Sequence, residues 1–251
     1  MITALAWQAA GLSWPLLAAA GAALAGQLSI GWSNDAVDAE RDASLGRTDK
    51  PIVTGMIGVR AVWAAALGAL ASTLLLAALA GPRTAAINAV MMAAGWTYNL
   101  GLKATPASGL MYVIGFGLVP AFAASVAAGS PAPGAAVSAA AALLGLGGHF
   151  ANALPDLAGD RRTGVAGLPQ RVAARWGERA AALTATTLLL AASALLVVAA
   201  ERRAVALLGL LAAGTIAVFG ARGTGRVLFR SAIAIAATDV LVLLVAGVAL
   251  T

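Results

Sequence analysis

The sequence predicts an all-α membrane protein, folded as a multi-span helical bundle. Of its 251 residues, 61% are apolar and 10% are charged, whereas soluble domains carry about 25% charge. The absence of cysteine excludes disulfides, thiolate nucleophiles and cysteine-ligated metals. The net charge of +6 could suit a nucleic acid, but the basic residues lie in short loops between apolar segments, so no nucleic acid partner is expected.

Eight apolar stretches are each about 20 residues long, enough to cross roughly 30 Å of hydrocarbon at about 1.5 Å per residue. No polar stretch is long enough to form a soluble domain, so we expect one transmembrane domain over residues 1–251. The predicted spans cover approximately residues 12–33, 59–80, 84–102, 108–129, 134–153, 176–199, 203–221 and 229–250.

The distribution of Lys and Arg predicts the orientation of these spans. Thirteen of the 16 basic residues fall in the first, third, fifth and seventh loops, and only Arg83, Arg202 and Arg203 fall on the opposite face. Because basic loops face the cytoplasm, both termini are expected to face outward. We therefore expect a multi-pass integral protein of a prokaryotic plasma membrane, with its active site facing the cytoplasm.

Two long polar loops on the predicted cytoplasmic face contain a duplicated motif, N-x-x-x-D-x-x-x-D-x-x-x-G-x-x-x-x-P. One span precedes each copy and three follow it. The chain therefore divides into a 4 + 4 parallel internal repeat, with halves near residues 1–130 and 131–251. The motif residues are Asn34, Asp38, Asp42, Gly46 and Pro51 in the first copy, and Asn152, Asp156, Asp160, Gly164 and Pro169 in the second.

The spacing of four places the Asn and the two Asp of each copy on one stripe of a helix that continues the preceding span. Two such stripes, facing each other, gather at least four carboxylates, whose repulsion divalent cations would relieve. Oxygen ligands of this kind favour Mg²⁺, which completes its shell with water and phosphate oxygens. Solvated helix ends are the alternative, but a pattern that occurs twice on one face disfavours it.

Cationic and aromatic side chains flank both motifs and suit an anionic ligand. Mg²⁺ with Arg and Lys around a cavity in a bilayer-embedded bundle can hold a diphosphate head group while a lipid chain lies in hydrocarbon. The candidates for this role are Arg47 and Lys50 after the first motif, Arg161, Arg162 and Arg171 with the second, and Tyr98 and Lys103 at the end of the third span.

These motifs resemble the signatures of the UbiA superfamily of intramembrane prenyltransferases. Residues 34–55, NDAVDAERDASLGRTDKPIVTG, are similar to the first signature, N-D-x-x-D-x-x-x-D followed by R-T-x-[RK]-P and Gly. Residues 152–177, NALPDLAGDRRTGVAGLPQRVAARWG, are similar to the second, which has D-x-x-x-D-x-x-x-G and a downstream L-P. Residues 98–103, YNLGLK, are similar to the Tyr and Lys motif between them.

The resemblance implies a central cavity open to the cytoplasm and laterally to lipid, in which Mg²⁺ bridges the two Asp motifs and an isoprenyl diphosphate. Ionisation of the C1–oxygen bond would release pyrophosphate, and the allylic cation would alkylate a small-molecule acceptor, commonly an aromatic ring. By the family pattern, Mg²⁺ and diphosphate would be held by Asn34, Asp38, Asp42, Asp156 and Asp160, with Asp35 at the rim. Phosphate oxygens would be bound by Arg47, Lys50, Tyr98 and Lys103.

The sequence departs from the family pattern in two places. The family normally has nine spans and its first Asp motif follows the second span, whereas here the motif follows the first. Either the start codon is misassigned or the chain lacks a helix of the bundle wall, and the 4 + 4 repeat is intact in both cases. In addition, Gly167 stands where the family has Thr before Leu-Pro.

Two isolated polar residues lie within predicted spans. His149 shares a helix stripe with Asn152, which is also a candidate substrate ligand, and it could orient or deprotonate an acceptor or simply bond to a neighbouring helix. Asp239 lies roughly 13 Å into the last span, where a carboxylate costs about 2.5 to 3.5 kcal/mol. It could contact the acceptor or stabilise a cation, or it could be a carboxyl hydrogen-bonded to another helix.

The leading hypothesis is a Mg²⁺-dependent membrane prenyltransferase whose catalytic residues are Asp38, Asp42, Asp156, Asp160, Lys103 and Asp239. Its acceptor would be an aromatic molecule such as a quinone precursor or another lipid precursor. A terpene cyclase of the same fold would ionise the same diphosphate and capture the cation with an internal alkene. A transporter is the third alternative, but it does not explain acidic residues concentrated in loops. No protein partner is inferable.

Overall fold

The computed structural model describes residues 13–126, 132–223 and 226–246. Helices hold 81% of these residues, and no strand occurs among them. The helices in chain order are α1 (Trp14–Val37), α2 (Ala39–Ser44), α3 (Val59–Ala80), α4 (Pro82–Asn99), α5 (Ser108–Gly117), α6 (Val119–Ala124), α7 (Ala135–Ala153), α8 (Leu157–Thr163), α9 (Leu168–Trp176), α10 (Glu178–Ala199), α11 (Arg203–Ala221) and α12 (Arg226–Val245), with a 3₁₀ turn at Leu102–Ala104 between α4 and α5.

Six of these helices, α1, α3, α7, α10, α11 and α12, are long and apolar enough to cross a membrane. The third predicted span corresponds to α4, whose buried Thr84, Asn88 and Asn99 make it more polar. The fourth is divided into α5 and α6 at Leu118, because Pro120 has no backbone N–H to continue the helix. The count of eight spans therefore stays a prediction. Three of the predicted spans also include residues that lie outside the described ones, namely 12, 127–129 and 247–250.

The bundle is built from close helix pairs in each half of the chain. α1 packs most extensively against α3, α10 packs likewise against α7, and α5 joins the halves by packing on α7. Glycines allow this approach: a Cβ at Gly147 of α7 would lie 2.8 Å from the Leu189 side chain of α10. Small residues at helix contacts are typical of bundles in lipid, where close packing must replace hydrophobic burial between helices.

Buried hydrogen bonds hold α1 against α3 and α4. Thr73 of α3 donates to the Ala22 carbonyl over 2.7 Å, and Ser29 of α1 donates to the Ala66 carbonyl over 2.9 Å. Nearer the first Asp motif, Asn99 of α4 donates to the Ile30 carbonyl over 2.8 Å. Each bond satisfies a polar group that would otherwise be buried without a hydrogen-bond partner. Sliding one helix past another would break these bonds, so the three helices are held in one register.

Both Asp motifs interrupt their helices, which differs from the predicted continuous stripe. In the first copy the break at Asp38 is small, since the Asp42 N–H still donates to the Asp38 carbonyl over 2.8 Å. In the second copy α7 ends at Ala153, because Pro155 lacks the N–H that the next helical bond needs. The motif glycines have a conformational role: Gly46 and Gly164 follow the short helices with φ of 69° and 75°, the left-handed region that favours glycine.

A buried apolar cluster closes the bundle at the end away from the Asp motifs. It contains residues from the first turns of α1, the last turns of α3 and α10, and half of α6. Phe122, Leu16 and Leu196 are among its least exposed members. The bundle is therefore solid at one end, and the space between its helices lies at the end that carries the motifs.

Candidate active site

A cavity of about 810 Å³ lies between the two halves of the bundle. One stripe of α1 follows it, because Ala20, Ala23, Gln27, Gly31 and Asn34 are spaced three or four residues apart. The inner part is lined by apolar side chains, which include Ile30, Met91, Met92, Met111, Phe116 and Val119. The outer part is lined by polar side chains, namely Asn34, Asp38, Arg41, Lys103, Asn152, Asp156, Asp160 and Gln170.

Carboxylates from both motifs lie at the polar end of the cavity. Asp38 of the first motif and Asp160 of the second are 5% and 6% exposed, so both are largely removed from water. Asp156 is half exposed. Burial raises the pKa of Asp160, against a hydrogen bond of 2.7 Å from Gln170 Nε2 that stabilises its ionised form. The structure therefore brings the two motifs to one site, as their duplication predicts.

Arg41 lies between the two motifs and contacts three of their carboxylates. Its Nη2 is 3.0 Å from Asp38 Oδ2 and 3.9 Å from Asp42 Oδ1. Its Nη1 is 3.5 Å from Asp160 Oδ1. Asp42 is 4% exposed and lines a small adjoining pocket with Asp35 and Lys50. Arg41 lines the main cavity, whereas Asp42 does not.

Lys103 reaches the first motif from the 3₁₀ turn after α4. Its ammonium group donates hydrogen bonds to Asp38 Oδ1 and, over 3.2 Å, to Asn34 Oδ1. Burial lowers the pKa of Lys103, and the hydrogen bond to Asp38 opposes that shift. Burial together with the charge of Asp38 raises the pKa of the neighbouring Asp42 carboxyl. The site is therefore a dense cluster of opposite charges in a poorly solvated place.

A second layer of ion pairs lies at the rim. Arg47 contacts Asp49 over 3.1 Å and Asp156 over 3.2 Å, and so it also joins the two motifs. The hydrogen bond between Arg47 and Asp49 raises the pKa of the arginine and lowers that of the carboxyl. Lys50 contacts Asp35 over 2.5 Å. Arg47, Lys50 and Asp35 adjoin the polar end and do not line the cavity itself.

An aromatic wall lies on the α4, α5 and α7 side of the cavity. The His149 ring stacks on Tyr112 with centroids 4.4 Å apart, and Tyr98 meets both rings edge-on. The Ser108 hydroxyl accepts the Leu168 N–H over 2.9 Å and lies 3.0 Å from His149 Nε2, to which it can donate its own proton. His149 thus bonds to a neighbouring helix and lines the cavity as well.

Four predicted site residues lie apart from the cavity, namely the exposed Arg161, Arg162 and Arg171 and the buried Asp239. Arg162 is an exposed residue at the end of α8 and does not line the cavity. Asp239 is 1% exposed within α12 and accepts a hydrogen bond of 2.5 Å from Ser193 of α10, so its carboxyl contacts a packed helix and not the site. This location favours the hydrogen-bonded alternative for Asp239, and its catalytic role stays a prediction.

Several cavity residues were not predicted from the sequence. Arg41 is one of the basic residues of the first polar loop, and its position directly before Asp42 is a signal that the sequence contains. Gln27 precedes Asn34 by seven residues, which places it on the same helix stripe. Tyr112, Ser108 and Gln170 join the site through tertiary contacts, for which the sequence carries no comparable signal.

A bundle of apolar helices around a cavity with an acidic end defines an integral membrane protein that carries a polar site within its helical core. A family model described as the UbiA prenyltransferase family matches residues 1–233. The chain belongs to this family, which confirms the resemblance of its motifs. Among curated proteins, no significant match is found.

Solved structures with the same fold include an apo UbiA homologue from Aeropyrum pernix K1, with a TM-score of 0.75 and 20% identity over 97% of this chain and 94% of that one. A UbiA homologue from Archaeoglobus fulgidus bound to GPP and Mg²⁺ has a TM-score of 0.63 and 20% identity over 96% of each chain. A UbiA homologue from Archaeoglobus fulgidus bound to DMAPP and Mg²⁺ has a TM-score of 0.58 and 19% identity over 97% of this chain and 96% of that one. At 19 to 20% sequence identity, this structural similarity shows that the chain shares the fold of these proteins.

Proposed function

We propose that this protein transfers an isoprenyl group from a prenyl diphosphate to an aromatic or lipid acceptor within the membrane, in a Mg²⁺-dependent reaction that releases pyrophosphate. The observation that carries the proposal is the division of one cavity into a polar end with both Asp motifs and an apolar interior. With Mg²⁺ on its carboxylates, such a cavity would be complementary to an amphipathic ligand with an anionic head. Relatives of the same fold bound to GPP or DMAPP with Mg²⁺ support this choice of ligand.

The residues at the polar end fit Mg²⁺ bound jointly with a diphosphate. Among the described residues, no group of three Asp, Glu or His side chains converges closely enough to hold a metal ion by itself. Mg²⁺ ordinarily takes one or two protein carboxylates and completes its shell with water and substrate phosphates. Its proposed ligands are Asn34, Asp38, Asp42, Asp156 and Asp160, and when bound it would neutralise charge on the leaving diphosphate.

The basic side chains around these carboxylates would bind the diphosphate oxygens. As the C1–oxygen bond breaks, negative charge grows on the leaving group, so fixed cations there lower the barrier more than they stabilise the bound substrate. Lys103 lines the cavity beside Asp38 and Asn34 and is the proposed principal cation. Arg47 and Lys50 would act from the rim, while the Tyr98 hydroxyl would meet the phosphate from the aromatic wall.

The acceptor is proposed to bind against the aromatic wall. The stacked pair of His149 and Tyr112 offers a flat face to an aromatic ring, next to the place where an allylic cation would form. If Ser108 donates its O–H hydrogen bond to Nε2 of His149, the ring presents its Nδ1–H as a donor. We therefore assign His149 a role in orienting the acceptor, together with Asn152, and not a role as general base.

The test is pyrophosphate release by the purified protein with Mg²⁺ and GPP or DMAPP, with and without a panel of aromatic acceptors. We expect release coupled to prenylated product, and its loss in Asp38→Ala and Asp156→Ala while both variants insert into the membrane. The matched control is Glu178→Gln, which removes an exposed carboxylate that pairs with Arg161 outside the cavity. Retained turnover in either Asp variant would refute the site, and cyclic hydrocarbon without acceptor would identify a cyclase.

A further inference from the structure

Arg41 contacts three of the carboxylates that the proposed function assigns to Mg²⁺. It lies 3.0 Å from Asp38, 3.9 Å from Asp42 and 3.5 Å from Asp160. Mg²⁺ binds oxygen at about 2.0 to 2.1 Å in near-ideal octahedral geometry. A guanidinium group and a metal ion compete for the oxygens that Arg41 contacts, so metal binding through these oxygens is expected to displace Arg41.

The surroundings of Arg41 allow such a movement. Its side chain is 26% exposed and lines the cavity, and its hydrogen bonds and ion pairs go only to acidic side chains among the described residues. Its Nε is buried and has no hydrogen-bond partner within the part of the chain that the structure describes. Asp42 adjoins Arg41 and does not line the cavity, so displacing the guanidinium would open a path from the cavity to this carboxylate.

We propose that Arg41 is an internal counter-cation that exchanges partners during substrate binding. In the free protein it neutralises both Asp motifs. When Mg²⁺ binds, Arg41 leaves the carboxylates and pairs with the incoming diphosphate, to which a guanidinium can donate two parallel hydrogen bonds. This inference rests on the proposed function and deepens it by naming a residue that couples metal binding to diphosphate binding.

The exchange has opposite consequences for the two ligands. Without diphosphate, Mg²⁺ must displace Arg41 from three carboxylates and receives no compensation, so Mg²⁺ alone should bind weakly. With diphosphate, the displaced guanidinium gains a new anionic partner, and each ligand raises the affinity of the other by the same factor. Replacing Arg41 by a neutral side chain should therefore tighten Mg²⁺ binding and weaken diphosphate binding.

The experiment is calorimetric titration of the full-length purified protein with Mg²⁺ alone, followed by titration with inorganic pyrophosphate at saturating Mg²⁺. We expect Arg41→Gln to bind Mg²⁺ about tenfold more tightly than wild type and pyrophosphate about tenfold more weakly, within the usual range of coupling between two ligands. Arg41→Lys should change both affinities in the same directions by smaller factors. Arg60→Gln, which removes an equal charge from an exposed position at the start of α3, should change neither.

The outcomes separate this inference from the proposed function. A purely structural role of Arg41 would weaken both affinities in Arg41→Gln, and an unchanged or weaker Mg²⁺ affinity would overturn the exchange while leaving Mg²⁺ and pyrophosphate binding by wild type intact. If wild type bound neither ligand, the proposed function itself would fail. Arg41→Lys keeps the charge, so it provides the same comparison if Arg41→Gln does not give a monodisperse protein.

Discussion

At the residue scale, the acidic motifs are neutralised by basic side chains of the chain itself. From the sequence, the repulsion between carboxylates was expected to need divalent cations. In the structure, Lys103 pairs with Asp38, Arg47 with Asp156 and Lys50 with Asp35, while Arg41 serves both motifs. Ligand binding must therefore exchange existing ion pairs, and the cost of breaking them becomes part of the affinity.

Lys103 is expected to contribute mainly to the chemical step. In Lys103→Met, the developing charge on the leaving group loses the proposed principal cation of the cavity wall. We expect kcat for pyrophosphate release to fall by about 10² to 10³, as when one preorganised donor is removed from an oxyanion site. Steady-state kinetics with GPP measures this, and a kcat within threefold of wild type would contradict the role of Lys103.

Asp239 is expected to be dispensable for catalysis. Asp239→Asn keeps the shape of the side chain and an oxygen that can accept the Ser193 hydrogen bond. We expect turnover within about twofold of wild type, because the carboxyl lies apart from the cavity. Asp239→Ala should instead lower thermal stability by about 1 to 3 kcal/mol, since it leaves Ser193 buried without this partner. A large loss of turnover in Asp239→Asn at unchanged stability would restore a catalytic role.

At the element scale, sequence patterns predicted helix positions better than helix interruptions. The predicted span at residues 59–80 coincides with α3, and that at 203–221 with α11, because apolar length alone defines such segments. The breaks at Leu118 and after Ala153 were missed, although Pro120 and Pro155 were visible in the sequence. Hydropathy does not register a missing N–H, so a proline rule was needed in addition.

Gly167 has a steric reason that its sequence context did not reveal. It precedes α9 with φ of −65°, so its conformation suits any residue. A Cβ there would overlap the Lys103 carbonyl oxygen and lie 3.1 Å from the Ser108 hydroxyl. The absence of a side chain therefore lets the start of α9 pack directly on the turn that carries Lys103.

Gly167→Thr, which introduces the residue typical of the family, is expected to impair this protein. The new side chain must displace the Lys103 turn or the start of α9, so stability should fall by about 1 to 3 kcal/mol, as in other overpacked sites. Turnover should fall with it. Thermal unfolding and pyrophosphate release measure the two effects. Gly148→Thr on α7 is the control, because a Cβ there meets no neighbouring atom within 4 Å, and equal behaviour of the two variants would contradict the steric account.

At the scale of the whole molecule, the two ends of the bundle have different tasks. The apolar cluster around Phe122 closes one end, and the charged cluster of both motifs lies at the other. The duplicated motif made this convergence predictable from the sequence. The identity of the partners across the cavity was not predictable, because contacts such as Arg41 with Asp160 depend on the packing of distant helices.

The charge distribution predicts that both motifs face the cytoplasm. The chain has no cysteine, so single cysteines can report this directly. In intact cells we expect Thr48→Cys and Thr163→Cys to resist a membrane-impermeant maleimide and Glu201→Cys to react with it. Inverted vesicles should reverse the result. Reaction of Thr48→Cys in intact cells would contradict the orientation, and different reactivity of Thr48→Cys and Thr163→Cys would contradict a shared face.

The central claim is that the polar end of the cavity holds a prenyl diphosphate through Mg²⁺ and both Asp motifs. Its most direct measurement is the affinity of the purified protein for a non-ionisable thiolodiphosphate analogue of GPP, with Mg²⁺ or with EDTA. We expect binding with Mg²⁺, none with EDTA, and a loss of at least about 100-fold in each of Asp38→Asn and Asp160→Asn, in line with removal of a metal-site residue. Equal affinity with EDTA, or wild-type affinity in both variants, would contradict the claim.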